Sequence, residues 1–290
     1  MMNLKHTTIK TRKRQAGLTL LELTVVLLVL IGLSGLILPY AQGYLQRTHD
    51  STGNDNLWEL NNAIGLFQAK YNEQPDGFHS LINSSGAVYT KLMNVSLVAP
   101  RTYTAGTNKK PLKSLKMAGI DDVWVMKTSP ASATFDAITT PIKTIPMPNG
   151  SGSVTLAIVT IETGSFASKE EHLAYAFYNN TAKKTEFDTN CFDYVVFGVG
   201  PEREMVGHTI ADAPLHFASA GGMGPDKKYN RFVAVYAVQK ATGTVGSSDC
   251  GEDIRPAKFI GSAMLMGQKH LWGLAHTQAH TYENMTNKNF

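Results

Sequence analysis

Hydrophobic positions fall into three successive patterns along the chain. From Leu18 to Leu38 they are almost continuous, LTLLELTVVLLVLIGLSGLIL, broken by a single charge, Glu22. Such a run is about long enough to cross a hydrocarbon core of ~30 Å. A carboxylate at a bilayer centre costs ~3 kcal/mol, so Glu22 is expected to have a partner and a task. From Tyr44 to Tyr71 the pattern becomes periodic. Leu57, Leu60, Ile64, Phe67 and Tyr71 recur at 3-4-3-4 spacing, which places them on one face of a helix. Gly53 and Gly65 each cost ~1 kcal/mol against Ala, so this half must rely on packing. Pro75-Asp76-Gly77 predicts a stop near Asn72.

Beyond residue 80 the signals are mainly of strands. Val123–Met126, Val154–Ile161, Tyr194–Val199, Phe232–Val238 and Phe259–Met266 are β-branched or aromatic runs separated by turn clusters such as PIKTIPMPNGSG and GGMGP. Ser168-Lys169-Glu170-Glu171 reads as a capping box opening a short helix through Leu173, Ala176 and Phe177. The stretch from Ser84 to Lys116 is polar and patternless, an expected exposed loop. The fold class predicted is α+β: a long N-terminal helix, membrane-crossing over 18–40 and amphipathic to 72, packed on an antiparallel sheet head over 73–290.

Charge refines this picture. Residues 1–17 hold Lys5, Lys10, Arg12, Lys13 and Arg14 and no acid, and the plausible cleavage point is Gly17–Leu18, ahead of the apolar run. Losing that leader takes the balance from 27 basic against 23 acidic residues to 22 against 23. The basic excess therefore says little about nucleic acid. It orients the apolar helix instead, with the leader cytoplasmic and the body facing outward.

The basic leader, Gly17, the apolar run, Glu22, Pro39 and Tyr44 stand together at offsets that resemble the N-terminal signal of type IV pilins and pseudopilins. Leu18 stands where the family commonly has Phe, and Gly32 falls one place later than usual. AIGLFQAKYNEQPDGFHSL is also similar to the junction between helix and head in pseudopilins. The resemblance implies that a prepilin peptidase cuts after Gly17 and methylates Leu18. It further implies that Glu22 pairs with the α-amine of a neighbour's Leu18 in a filament, and that Pro39 marks where the helix can kink. Implied partners are that peptidase, other pilin or pseudopilin subunits, an inner-membrane assembly platform and, before assembly, inner-membrane lipid. The implied location is the inner membrane with the head in the periplasm, then a periplasmic pseudopilus or an extracellular pilus.

Cys191 and Cys250 are the two cysteines. In an exported body such a pair reads as a disulfide, with two free buried thiols as the alternative. The bridge would close a loop of about 60 residues, worth ~4 kcal/mol in the chain-entropy picture. Other constellations are weaker. His276 and His280 are four apart and His270 is nearby, which could chelate a metal on a helix, but no acid or cysteine completes the set, so a solvated tail is the plainer reading. Asp249, Glu252 and Asp253 flank Cys250 without the spacing of a calcium loop. Lys109, Lys110, Lys113 and Lys116 near Tyr103 and Trp124 make a small basic patch, opposed by Asp121 and Asp122, so DNA binding is not favoured. Gly198, Gly200 and the Gly221–Gly224 cluster read as turns.

No phosphate loop, GxSxG, HExxH or Ser-x-x-Lys occurs. The chain is therefore expected to be no enzyme and to need no cofactor or metal. The function predicted is that of a specialised subunit of a type IV pilus-like filament. A type II secretion pseudopilin is the alternative, and a signal-anchored periplasmic binding protein or enzyme the remote one.

Overall fold

The computed structural model describes residues 20–92, 94–128, 139–161, 164–216, 228–240, 253–265, 271–276, 278 and 279. The chain divides into two compact units, Met1–Leu45 and Gln46–Phe290. Helix α1 (Leu20–Tyr71) begins in the first and ends in the second. It stops where the backbone of Asn72 turns left-handed, φ 59°, with the Asn72 N–H still donating to the Gln68 carbonyl.

The larger unit is organised by a nine-stranded sheet: β1 (Phe78–Asn83), β2 (Val98–Thr104), β3 (Asp122–Met126), β4 (Thr139–Thr144), β5 (Ser153–Val159), β6 (Phe192–Gly198), β7 (Val233–Gln239), β8 (Lys258–Met264) and β9 (Trp272–Gly273). The main path runs β4-β3-β1-β6-β7-β8-β9, and β5 branches from β6 to pair with β2. Most pairings are antiparallel, but β1 and β3 run parallel. Parallel neighbours need a long crossover, and residues 84–121 supply one. That segment holds β2 and helix α2 (Lys109–Met117), where the sequence suggested a patternless loop. Its pattern is hidden because β2 buries few side chains, while α2 is fixed by Pro111, Leu112 and Leu115.

Strands β6 and β7 are buried along nearly their whole length, and their side chains alternate between two cores. Val195, Phe197, Ala234, Tyr236 and Val238 face a core shared with Leu57, Leu60, Ile64 and Phe67 of α1 and Leu112 and Leu115 of α2. Tyr194, Val196, Val233 and Val235 face the opposite core, closed by Leu173, Ala174 and Ala176 of α3 (Lys169–Tyr178). Helix α3 starts as its sequence requires: Ser168 Oγ accepts from the Glu171 N–H, and Glu171 Oε2 accepts from the Ala167 N–H.

The expected long helix on an antiparallel head is therefore corrected. The organising element is a mixed sheet covered on both faces, and α1 supplies part of one cover. The membrane-spanning half is corrected as well: among the described residues no helix is long and apolar enough to cross a membrane. The single-pass inner-membrane location inferred from the run is withdrawn with it.

Candidate functional site

The first unit presents a helix whose apolar side chains are exposed. Leu20, Leu21, Leu23, Val25, Leu28, Val29, Leu30 and Ile31 are each more than half exposed, and Leu28 reaches 74%. These positions do not select one face, so the segment is apolar on all sides. Glu22 lies in the first turn of α1, where a carboxylate also complements the helix dipole. Thr24 and Ser34 return their hydroxyls to the carbonyls of Leu21 and Leu30, which satisfies both donors within the helix. Gly32 leaves open space, with nothing within 4 Å of where a Cβ would stand. Gly17 and Leu18 lie outside the described residues. Pro39 falls within α1, and its side chain is outside them.

In the second unit α1 has a buried and an outward side. Leu57, Leu60, Ile64 and Phe67 are at most 2% exposed, whereas Trp58 and Leu66 are each 58% exposed. Asn61, beside the buried row, accepts the Ser262 N–H of β8 on its Oδ1 at 2.8 Å. Tyr71, expected on the buried face, sits at its rim: its ring lies 4.5 Å from that of Phe67 and its hydroxyl meets His208 Nδ1 at 3.2 Å.

The remaining candidates are scattered rather than brought together. Cys191 is buried, and no cysteine among the described residues is free; Cys250 lies outside them. His270, His280, Asp249 and Glu252 also lie outside, as does the Gly221–Gly224 cluster. His276 is not solvated as expected. It is fully buried, its ring 4.6 Å from Tyr175 and 5.1 Å from Trp272, with Nδ1 3.1 Å from Asn179 Oδ1. Among the described residues no three His, Cys, Asp or Glu gather to hold a metal. Of the lysine patch, Lys109, Lys110, Lys113 and Lys116 lie on α2, and Lys116 pairs with Asp121 at 2.7 Å.

The structure also holds a buried polar cluster that local sequence reading does not show. His79 on β1 is fully buried between the Tyr229 hydroxyl, 3.0 Å from Nδ1, and Glu202 Oε2, 2.8 Å from Nε2. Burial pushes the His79 pKa down, and this outweighs the hydrogen bond and charge of Glu202. Burial alone would raise Glu202, but the His79 hydrogen bond and the charges around it, Arg231 included, hold its carboxyl below the usual range. The consistent state is a neutral imidazole donating from Nε2 to an ionised Glu202 and accepting the Tyr229 hydroxyl on Nδ1. Next to it Arg203 is buried with its guanidinium 3.7 Å over the Phe78 ring, and burial lowers its pKa to about 10.

The same cluster explains Gly198, which ends β6 rather than sitting in a turn as expected, and Gly200 just past it. A Cβ at Gly198 would collide with the Tyr229 hydroxyl, and one at Gly200 with the His79 ring. Asp76 closes the arrangement by accepting the Asp121 and Asp122 N–H groups at 3.1 and 2.9 Å. Its pKa is raised, because burial outweighs those bonds. The cluster thus clamps β1, the loop after β6 and the start of β3 to one another.

No family model, curated protein or solved structure matches the chain.

Proposed function

We propose that the protein is a structural subunit of a filament of the type IV pilin kind, assembled by packing of the N-terminal part of α1 against the same part of other subunits. The observation that carries this reading is the all-round apolar surface from Leu20 to Leu33. Fully covering one Leu or Val side chain is worth about 1.5–3 kcal/mol, so a bundle of like helices gains from every one of these positions. Position adds to the argument. The apolar stretch directly follows a five-cation leader ending in Gly17, and it carries its one acid near the start.

In the assembled state Glu22 pairs with the α-amine of Leu18 on an adjacent subunit, once the leader is removed. A matched pair recovers much of the cost of burying each charge and fixes the axial register of neighbouring helices. Trp58 and Leu66, on the outward side of α1 in the larger unit, add apolar contacts between bodies. N-terminal sequencing of the mature protein tests the reading: it should begin at N-methylated Leu18, and Gly17→Glu should leave a full-length precursor. Normal maturation of that variant would refute the processing step.

A further inference from the structure

The sheet forks at β6, and the fork holds a cavity. Along one edge of β6, β5 pairs at Val195 and Val196, while β1 pairs only at Gly198. Between these points β1 leaves the ladder through a bulge, with its register against β3 broken between His79 and Asn83. At the centre of the bulge Leu81 is fully buried in the left-handed region, φ 58°. A non-glycine residue seldom adopts that conformation, and bulges re-aim the side chains beside them. Here the beneficiaries are Ser80, Ile82 and Asn83, which wall a cavity of about 430 Å³ together with Val125 of β3, Lys143 of β4 and Thr155 of β5. That volume lies within the range of small-molecule sites.

The lining has a definite chemical bias. Among the described residues, Ser80, Ser84, Ser85 and Thr155 bring hydroxyls, already bonded to Ile82, Thr128, Asn83 and Thr102 but with lone pairs left to accept from a guest, Lys143 brings the one charge, and no carboxylate lines the cavity. Asn83, 5% exposed, is held in one orientation, because its Oδ1 accepts the Ser85 N–H, the Ser85 hydroxyl and the Ala87 N–H. What it offers to a guest is therefore its amide NH2, a pair of donors. Ile82 and Val125 supply an apolar patch among these polar groups.

The geometry points to a binding site for a carboxylated monosaccharide, a sugar of the uronic acid class. Its carboxylate would meet Lys143 and the Asn83 NH2, its hydroxyls would meet the Ser and Thr hydroxyls, and its C–H face would rest on Ile82 and Val125. Lys143, with no acid among the described lining residues, favours the anionic sugar over a neutral one.

Two variants probe the site without dismantling it. Asn83→Asp keeps the oxygen that holds the 83–87 turn while removing the donors. Lys143→Glu reverses the charge at an exposed position of β4. Glucuronate, glucose and acetate are titrated against the full-length chain, dispersed in mild detergent, by saturation-transfer NMR. Glucuronate should bind, with glucose and acetate weaker by about tenfold or more. Each variant should lose glucuronate binding by a similar factor, whereas Lys113→Glu on α2 should retain it. Absence of glucuronate binding overturns the proposal. So does glucose or acetate binding as tightly, or binding that survives both variants.

Discussion

His172 makes the stability of the larger unit sensitive to mild acid, and the size of the effect follows from its contacts. The residue is fully buried on α3. Its Nδ1 lies 2.9 Å from the Thr160 carbonyl, and its Nε2 accepts the Leu271 N–H at 3.0 Å, just ahead of β9. The ring is therefore neutral, with the proton on Nδ1, and it stacks on Phe166 at 5.1 Å. Burial lowers its pKa, and the Thr160 hydrogen bond only partly opposes this. Protonating Nε2 would oppose two donors across a buried gap. A depressed folded pKa means that the stabilising contribution is fully present above the unfolded value of about 6.5 and is lost as pH falls below it.

Titration of the unfolded ring caps the loss between pH 7.5 and 5.5 at about 1.4 kcal/mol. His79 is shifted in the same direction, so the two together withdraw up to about 2.7 kcal/mol over that interval. Urea unfolding followed by tryptophan fluorescence at pH 7.5, 6.5 and 5.5 measures this. His172→Gln should be less stable at pH 7.5 by about 1–3 kcal/mol, from lost packing and imperfect bonds to Leu271. It should nevertheless lose less on acidification, by up to about 1.4 kcal/mol. A variant with the wild-type slope, or a wild type that gains stability on acidification, would refute the argument.

Three further expectations concern assembly and packing. Glu22→Leu should still be cleaved but enter filaments poorly, with Glu22→Asp intermediate; equal fractions of wild type and Glu22→Leu in sheared filaments would remove the charge-pairing mechanism. Cys191 and Cys250 should be recovered as one linked peptide in non-reducing mapping of freshly isolated protein, and two alkylatable thiols would contradict the pairing. Gly65→Ala, on an exposed helical face with nothing within 4 Å of the new methyl, should stabilise by ~1 kcal/mol. Gly200→Ala, whose methyl would enter the His79 ring, should destabilise by about 1–3 kcal/mol or more; thermal melts that ranked the two alike would contradict the cradle described around His79.

Local signals carried part of this structure and long-range contacts the rest. Strands β5, β6 and β7 are legible because Val154 to Val159, Tyr194 to Phe197 and Val233 to Val238 are dense in β-branched and aromatic residues, and strands buried on both faces need that composition. The opening of α3 is legible because a cap is a four-residue affair. By contrast, β1 reads as FHSLIN, with three polar residues that are buried nonetheless. His79 is made tolerable there by Glu202 and Tyr229, 123 and 150 positions away, and no local window contains those partners. The parallel pairing of β1 with β3 depends likewise on a crossover whose anchors, Leu112 and Leu115, lie among four lysines. In the N-terminal segment the apolar run and Glu22 are legible in the sequence, and the structure adds that the apolar side chains from Leu20 to Leu33 are exposed.

The way α1 is seated in the larger unit has a mechanical consequence. Leu57, Leu60, Ile64 and Phe67 enter the sheet core as a single row, and Asn61 adds one bond to β8. A load pulling along the helix axis meets no ladder of strand bonds that could open one rung at a time. Displacing the row by even part of a helical turn would lift all four side chains from their sockets together. Such a joint resists until it yields at once. Under the proposed function, a pulled filament would therefore hold each body at full strength up to a threshold force, without gradual creep below it.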